Sequence, residues 1–374
     1  MKRFRWACML LATGVLLLFS AQAGAAKSQQ NRVQKTAAPT WTLAMDGSRV
    51  AYASGGRIHV WDTATGTTTV VAGRYGSKRA GVNAVAGRIA IAGDRVAWIR
   101  GDSIGNTEAD EKLYTAPIGG KARLVERVHR YGRDDPSVTT GGWIAGLVGA
   151  GRTLAVSTWR TDHGTPSAED LSRIAPAGLQ PIASGPGSIV AESADGGHIA
   201  ALRSTVAWPT DSPMPVGPAP TVGVYSVDGK LLNEFPLTPP DRSTVGLEIS
   251  LSGNRLIALR SELYEPSGPS TVTLEVYDST TGQLLKTVPV GIAQDTGEVS
   301  FDVSGHLAAV EGPYRLHLVD LDTGRDVTIA PSSRTDCPPA IGPRGLVYTV
   351  NPHYNGPGKL VFLPTSRLLQ LTSS

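Results

Sequence analysis

Short apolar runs of four to six residues, each opened by a glycine, recur along the chain. The first three are Gly47-Ser48-Arg49-Val50-Ala51-Tyr52, Gly93-Asp94-Arg95-Val96-Ala97-Trp98 and Gly151-Arg152-Thr153-Leu154-Ala155-Val156. The same signal returns at Gly196-Gly197-His198-Ile199-Ala200-Ala201, Gly253-Asn254-Arg255-Leu256-Ile257-Ala258, Gly305-His306-Leu307-Ala308-Ala309 and Gly345-Leu346-Val347-Tyr348. The spacings are 46, 58, 45, 57, 52 and 40 residues, which defines seven units. Runs this short, rich in Val, Ile, Leu and Ala and bounded by glycine, predict antiparallel strands rather than helices. Ser167 to Ile174 has room for one or two helical turns at most.

Each unit carries a second signal, a strand leading into a tight turn and another strand. It is clearest at Arg57 to Asp62 with Thr65-Gly66, at Val272 to Asp278 with Thr281-Gly282, and at Arg315 to Val319 with Asp322-Thr323-Gly324. The aspartate after the third strand is placed to accept hydrogen bonds from turn amides. Units 2 and 4 are looser copies, and units 3 and 7 (Leu360 to Leu371) the loosest. Four such strands form a sheet apolar on both faces, which one unit alone cannot bury; stacking the units radially covers both. The expected fold is all-β, a β-propeller of seven four-stranded blades, with six or eight as the counting errors.

Asp46-Gly47-Ser48-Arg49-Val50-Ala51-Tyr52 followed by Ile58-His59-Val60-Trp61-Asp62 resembles the WD40-like repeats of TolB-type bacterial β-propellers. The Asp-x-x-Thr-Gly turns are similar to those of quinoprotein and surface-layer propellers. The resemblance spans most of residues 41–371 as short, degenerate motifs, and implies a fold rather than a function. TolB-type proteins carry an α/β domain ahead of the propeller, for which the segment before residue 41 leaves no room, so their partner surfaces do not carry over. Quinoproteins place a tryptophan soon after Thr-Gly. Here Gly66, Gly282 and Gly324 are followed by Thr67-Thr68-Thr69, Gln283-Leu284-Leu285 and Arg325-Asp326-Val327, which argues against a quinone; no cofactor is expected.

The first 26 residues depart from this pattern. Lys2, Arg3 and Arg5 precede the apolar stretch Trp6 to Phe19, and Ala21-Gln22-Ala23 and Ala23-Gly24-Ala25 offer cleavage sites. This is the layout of a secretory signal, and an uncleaved anchor is the rival reading. Residues 27–40 then read as a polar tether and 41–374 as one propeller domain, in a secreted, periplasmic or cell-envelope protein with no transmembrane segment once the signal is removed. Removing the three basic signal residues leaves 35 − 3 = 32 basic against 32 acidic residues, a balance that gives no reason to expect nucleic acid as a partner. Glycine and proline make up 43 + 26 = 69 of the 374 residues, a turn-dense composition. Once Cys8 leaves with the signal, Cys337 stands alone and reads as a quiet thiol without a disulfide.

Candidate chemistry concentrates where the units grow. Between the two glycine signals the gaps are 19, 27, 27, 33, 29, 19 and 21 residues, so units 2 to 5 carry insertions between their second and third strands. Those segments share a rim with the connections between blades, and binding residues concentrate on loops held by a rigid scaffold. The unit 2 insertion, Asp102 to Lys112, holds Asp102, Glu108, Asp110 and Glu111, which read as solvated acids because the spacing misses a calcium loop. Unit 3 offers Trp159, Arg160, Asp162 and His163, where Trp159 and His163 could contact a sugar or peptide. Unit 4 carries Trp208 among five prolines, read as a stiff spacer. Arg74 and Tyr75 end unit 1, and Arg130, Tyr131 and Arg133 end unit 2; side by side they could form a basic pocket for a carboxylate, phosphate or acidic glycan.

Catalytic signals are thin. Gly101-Asp102-Ser103-Ile104-Gly105 matches G-x-S-x-G, but no apolar helix follows and no histidine pairs with Ser103, so a hairpin is expected there instead of a nucleophile elbow. The seven histidines form no close metal pair. Glu192, Glu248 and Glu298, near blade starts, are candidate tunnel residues. Taken together, the residues point to a monomeric, non-catalytic propeller that binds a protein, peptide or cell-envelope polymer through its loop-rich rim. The alternative is an extracellular hydrolase or lyase with its site at the tunnel mouth.

Overall fold

The computed structural model describes residues 31–73, 82–104, 108–132, 139–163, 165–185, 188–204, 220–238, 244–262, 270–294, 299–312, 315–331, 337–351 and 356–373. They form 28 strands and one helix. Strand β1 (Arg32–Thr36) is followed by the first sheet, β2 (Thr40–Asp46), β3 (Arg49–Ser54), β4 (Arg57–Asp62) and β5 (Thr68–Ala72). An eight-stranded sheet follows. It contains β6 (Val82–Ala92), β7 (Arg95–Ile104), β8 (Glu108–Pro117), β9 (Arg123–Tyr131), β10 (Thr140–Ala150), β11 (Thr153–Asp162), β12 (Thr165–Ala175) and β13 (Gly178–Ser184).

Three more four-stranded sheets come next. They are β14 (Ser188–Asp195) with β15 (His198–Ser204), β16 (Thr221–Ser226) and β17 (Leu231–Pro236); β18 (Thr244–Ser252) with β19 (Arg255–Glu262), β20 (Ser270–Asp278) and β21 (Leu284–Gln294); and β22 (Ser300–Ser304) with β23 (Leu307–Glu311), β24 (Arg315–Asp320) and β25 (Asp326–Pro331). The last sheet joins β26 (Ala340–Gly342), β27 (Gly345–Val350) and β28 (Gly358–Pro364) to β1, and helix α1 (Thr365–Ser373) ends the fold.

The seven leading glycines mark the turns between the first two strands of each unit. Gly47 and Gly253 take φ of +59° and +60°, a region that L side chains rarely adopt. At Gly345 a Cβ would also meet the Leu363 carbonyl oxygen, so the turn into β27 admits no side chain. The third-strand aspartates act as expected: Asp62 accepts the Ala64 N–H at 2.8 Å, and Asp278 accepts those of Thr280 and Thr281.

Both faces of the sheets are covered. On β19, Leu256 and Ala258 pack against the preceding sheet while Ile257 and Leu259 pack against the following one. Contacts between first strands run in an unbroken circuit, β2 to β6, β10, β14, β18, β22, β26 and back to β2. This is the radial arrangement of a β-propeller. The eight-stranded sheet is two sequence units joined edge to edge, with only Tyr131↔Thr140 and Arg130↔Gly141 pairing across β9 and β10.

Four expectations need correcting. Arg32–Thr36, inside the presumed tether, is a strand that pairs with β28 from Arg32↔Phe362 to Thr36↔Gly358. Unit 7 ends in helix α1 instead of a second strand, because Leu368, 1% exposed, packs with Leu307, Leu316 and Leu346 under the last two sheets. Ser167 to Ile174 lies within strand β12 and has no helical turn. The insertions of units 2 and 3 extend strands, since β7, β8 and β11 have ten residues each and β12 eleven. Of the unit 4 insertion, residues 205–219, including Trp208, lie outside the described residues.

Ring closure is sealed by Asn351, 2% exposed, beyond the end of β27. Its Nδ2 donates to the Thr40 carbonyl at 3.1 Å and its Oδ1 accepts the Thr40 N–H at 3.4 Å, tying the first sheet to the last. Asn351→Ala removes both of these buried contacts to Thr40, so it should lower unfolding stability by about 1–3 kcal/mol, read as an earlier urea midpoint.

Candidate functional site

The first strands face a central channel of about 1630 Å³. Its two ends differ. At one end lie the short glycine turns between first and second strands, at the other the connections between second and third strands and between sheets. Many residues of those connections, including Arg74, Tyr75 and Arg133 of the expected basic pocket, lie outside the described residues.

Side-chain oxygens lace the turn-bearing end together. Asp46 accepts the N–H of Gly93 at 2.6 Å and that of Gly151 at 3.2 Å, spanning three units. Asp195 accepts the Gly253 N–H, and Ser252 accepts the Gly305 N–H at 2.7 Å. Further in, Asp302 accepts the Ile341 N–H at 2.9 Å and the Ser250 hydroxyl at 3.3 Å, bridging the sheets on either side. Burial pushes the Asp302 carboxyl up to about 6, against the pull of those donors. Glu248 lines the channel, as its place near a blade start suggested. Glu192 lies on β14 with its side chain outside the described set, and Glu298 falls outside it altogether.

Two tryptophans stand at the loop-bearing mouth. Trp143 on β10 and Trp159 on β11 both line the channel, with ring centroids 5.1 Å apart at an interplanar angle of 66°. Their meeting depends on a bulge. From Ala150↔Thr153 back to Gly146↔Ser157 the strands pair regularly, then the register shifts between Ile144 and Gly146. Without that extra residue Trp143 would oppose Arg160, and the two indoles would leave opposite faces of the sheet. The Arg130 guanidinium lies over the Trp143 ring, 5.3 Å from its centroid. Beside it Glu111 accepts the Ile144 N–H at 2.7 Å; burial raises its carboxyl while the same Ile144 amide and nearby Arg130 pull it back down.

The sequence candidates therefore separate. Arg130 and Trp159 converge through Trp143, which the sequence reading did not single out. Tyr131, on the other side of β9, is 55% exposed and meets His129 edge-on at 4.3 Å, away from the indole pair. His163 sits at the exposed tip beyond β11 with φ of +47° and bonds Asp162 at 2.7 Å. Two of the unit 2 acids prove structural rather than solvated. Asp110, 3% exposed, takes a two-pronged contact from Arg127 at 2.9 and 3.0 Å, and Glu111 holds the β10 backbone. Ser103 lies within the β7–β8 ladder, opposite Ala109, where no nucleophile elbow can form. Cys337 is buried, and burial raises its thiol well above the ordinary range. Among the described residues no group of three or more His, Cys, Asp or Glu is placed to hold a metal ion.

No family model matches the chain, and no curated protein matches it. Solved structures do. A chain of Kuenenia stuttgartiensis hydrazine synthase is 13% identical with a TM-score of 0.52, over 89% of this chain and 98% of that one. The WD40 domain of SCAP from fission yeast is 10% identical with a TM-score of 0.41, over 86% and 84%. The β-propeller domain of the Trilobed protease from Pyrococcus furiosus is 12% identical with a TM-score of 0.36, over 79% and 98%. At these identities the likeness is one of fold alone, in keeping with the all-β propeller described above.

Asp302 gives the channel a pH signature. Its folded-state value of about 6 exceeds the ordinary 3.8, so the native state binds that proton more tightly than the unfolded chain. Its contribution to stability is therefore full below about 4 and lost as pH rises through about 6. Unfolding stabilities of the native protein and Asp302→Asn, compared across that window by urea titration, should diverge by about 3 kcal/mol, the native protein losing more as pH rises.

Proposed function

We propose that the chain is an exported, monomeric propeller of seven four-stranded blades that binds a protein, peptide or cell-envelope polymer at the loop-bearing mouth of its channel. The blade count is supported by the circuit of seven first strands, with the eight-stranded sheet counted as two blades held by two residue pairs. Export is supported by the basic, apolar and small-residue order of the first 26 residues.

The observation that carries the binding reading is the Trp143–Trp159 pair at the channel mouth, with Arg130 stacked on it. Indole rings offer a large rigid contact area at low entropic cost, and such residues dominate binding energy where they meet a partner. A rigid β scaffold holds both rings, so a ligand would find the surface already formed. The hydrolase reading has less behind it, since the one serine motif lies within a paired strand.

Capture of a peptide and glycan array by the exported protein tests this. Trp159→Ala should weaken capture of the bound ligand by about tenfold or more. Arg344→Ala, exposed at the opposite, turn-bearing end, should leave it unchanged. The reverse pattern would move the binding face to the other side of the disc.

A further inference from the structure

The charge of the channel and its aromatic mouth together say what kind of ligand it suits. Outside the signal the chain balances 32 basic against 32 acidic residues, so no overall excess explains a local one. Among the described lining residues are Asp46, Asp195, Glu248, Asp302 and Glu311, against Arg88 and His306. The hydrogen-bond donors to Asp46, Asp195 and Asp302 described above are backbone amides and a serine hydroxyl. These hold the carboxylates in place without neutralising them.

Carboxylates spread around a channel with low-dielectric walls focus a negative potential along its axis. The mouth adds a second, independent preference. An indole face attracts a cation through its quadrupole, and Trp143 already holds the Arg130 guanidinium in that way. Glu111 lies beside Arg130, close enough for the guanidinium to pull its carboxyl down against the effect of burial.

We infer that the channel takes a cationic ligand, a flexible chain bearing primary ammonium groups, admitted past the Trp143–Trp159 pair and held by the acidic wall. The inference rests on the proposed binding role of that mouth and narrows its ligand chemistry. An alkylammonium chain fits both features: its methylenes pack on the indoles while its charged heads reach the carboxylates. Two sources offer this chemistry, a free polyamine and the lysine side chains of an extended peptide.

Tryptophan fluorescence of the exported protein, titrated with spermine and with a glycine–lysine repeat peptide, decides the matter. The controls are the same peptide acetylated at every lysine, and a glycine–glutamate repeat. At least one cationic probe should bind, with affinity falling about tenfold or more on acetylation and again as salt is raised. Binding of spermine alone identifies the polyamine source; binding of the lysine peptide alone, or of both, identifies the peptide as a competent ligand.

Calorimetry should show the bound cation weakened by about tenfold in Trp159→Ala, or in Trp159→Leu if the alanine variant does not fold. Equal binding of the acetylated peptide, preference for the glutamate repeat, or full binding by both tryptophan variants would overturn the inference. So would failure of both cationic probes. If both fail while an uncharged or anionic array ligand is still lost with Trp159→Ala, the mouth remains a binding site and only its assigned charge preference falls.

Discussion

At several inner hairpins of this propeller the turn amide finds its acceptor in a side chain of a preceding sheet. Asp46 serves Gly93 and Gly151, Asp195 serves Gly253, and Ser252 serves Gly305. The Gly93 and Gly151 amides are half-buried, where an N–H left without an acceptor costs more than a hydrogen bond gains, while those of Gly253 and Gly305 lie exposed. Apolar seams supply the cohesion, and the oxygen-to-amide contacts add directed links between neighbouring sheets. Because those oxygens stand on the innermost strands, the same side chains that fix the sheets also line the channel and give it its charge.

How much of this could be read from the chain depended on the length scale of the signal. The glycine opening each unit marks a positive-φ turn, a property of one residue, and that signal located every first hairpin. The aspartates after the third strand were equally local, since Asp62 and Asp278 bond amides two or three residues away. Strand β1 was hidden because its partner lies more than 300 residues away, from Phe362 to Gly358. Arg32-Val33-Gln34-Lys35-Thr36 is polar because it forms an outer edge, with Val33 56% exposed. Helix α1 was masked by the repeat itself, which led the eye to seek a fourth strand where Leu368 instead closes the underside of the last sheets.

The candidate site shows the same division more sharply. Trp159 was visible as an aromatic among polar neighbours. Trp143 was not, lying in the glycine-rich run Gly141-Gly142-Trp143-Ile144-Ala145-Gly146, which carries no motif. What joins the two is one extra residue in β10, and bulges leave no mark that a single sequence displays. The unit 2 and unit 3 insertions misled in a related way. Length was legible, but whether it went into loops or into longer strands turned on pairing between segments such as Gly101↔Glu111 and Trp159↔Glu169.

Arg130 shows how the fold separates charges that stand side by side in the sequence. Read in sequence, it stands with Arg127, His129 and Arg133 in a basic run that invites an anion. In the fold, alternation along β9 divides the described members of that run, Arg127, His129 and Arg130, between two faces. Arg127 is taken up by Asp110, and His129 lies 3.8 Å from the same carboxylate. Among the described members of the run, Arg130 turns toward the channel mouth, over the Trp143 ring and beside Glu111. The charges of Arg127 and Arg130 are thus each met by an acid or aromatic ring of their own chain. The carboxylates that link the seams stand elsewhere on the inner strands, Asp46 and Asp195 at the turn-bearing end, so the two ends of the channel present different chemistry.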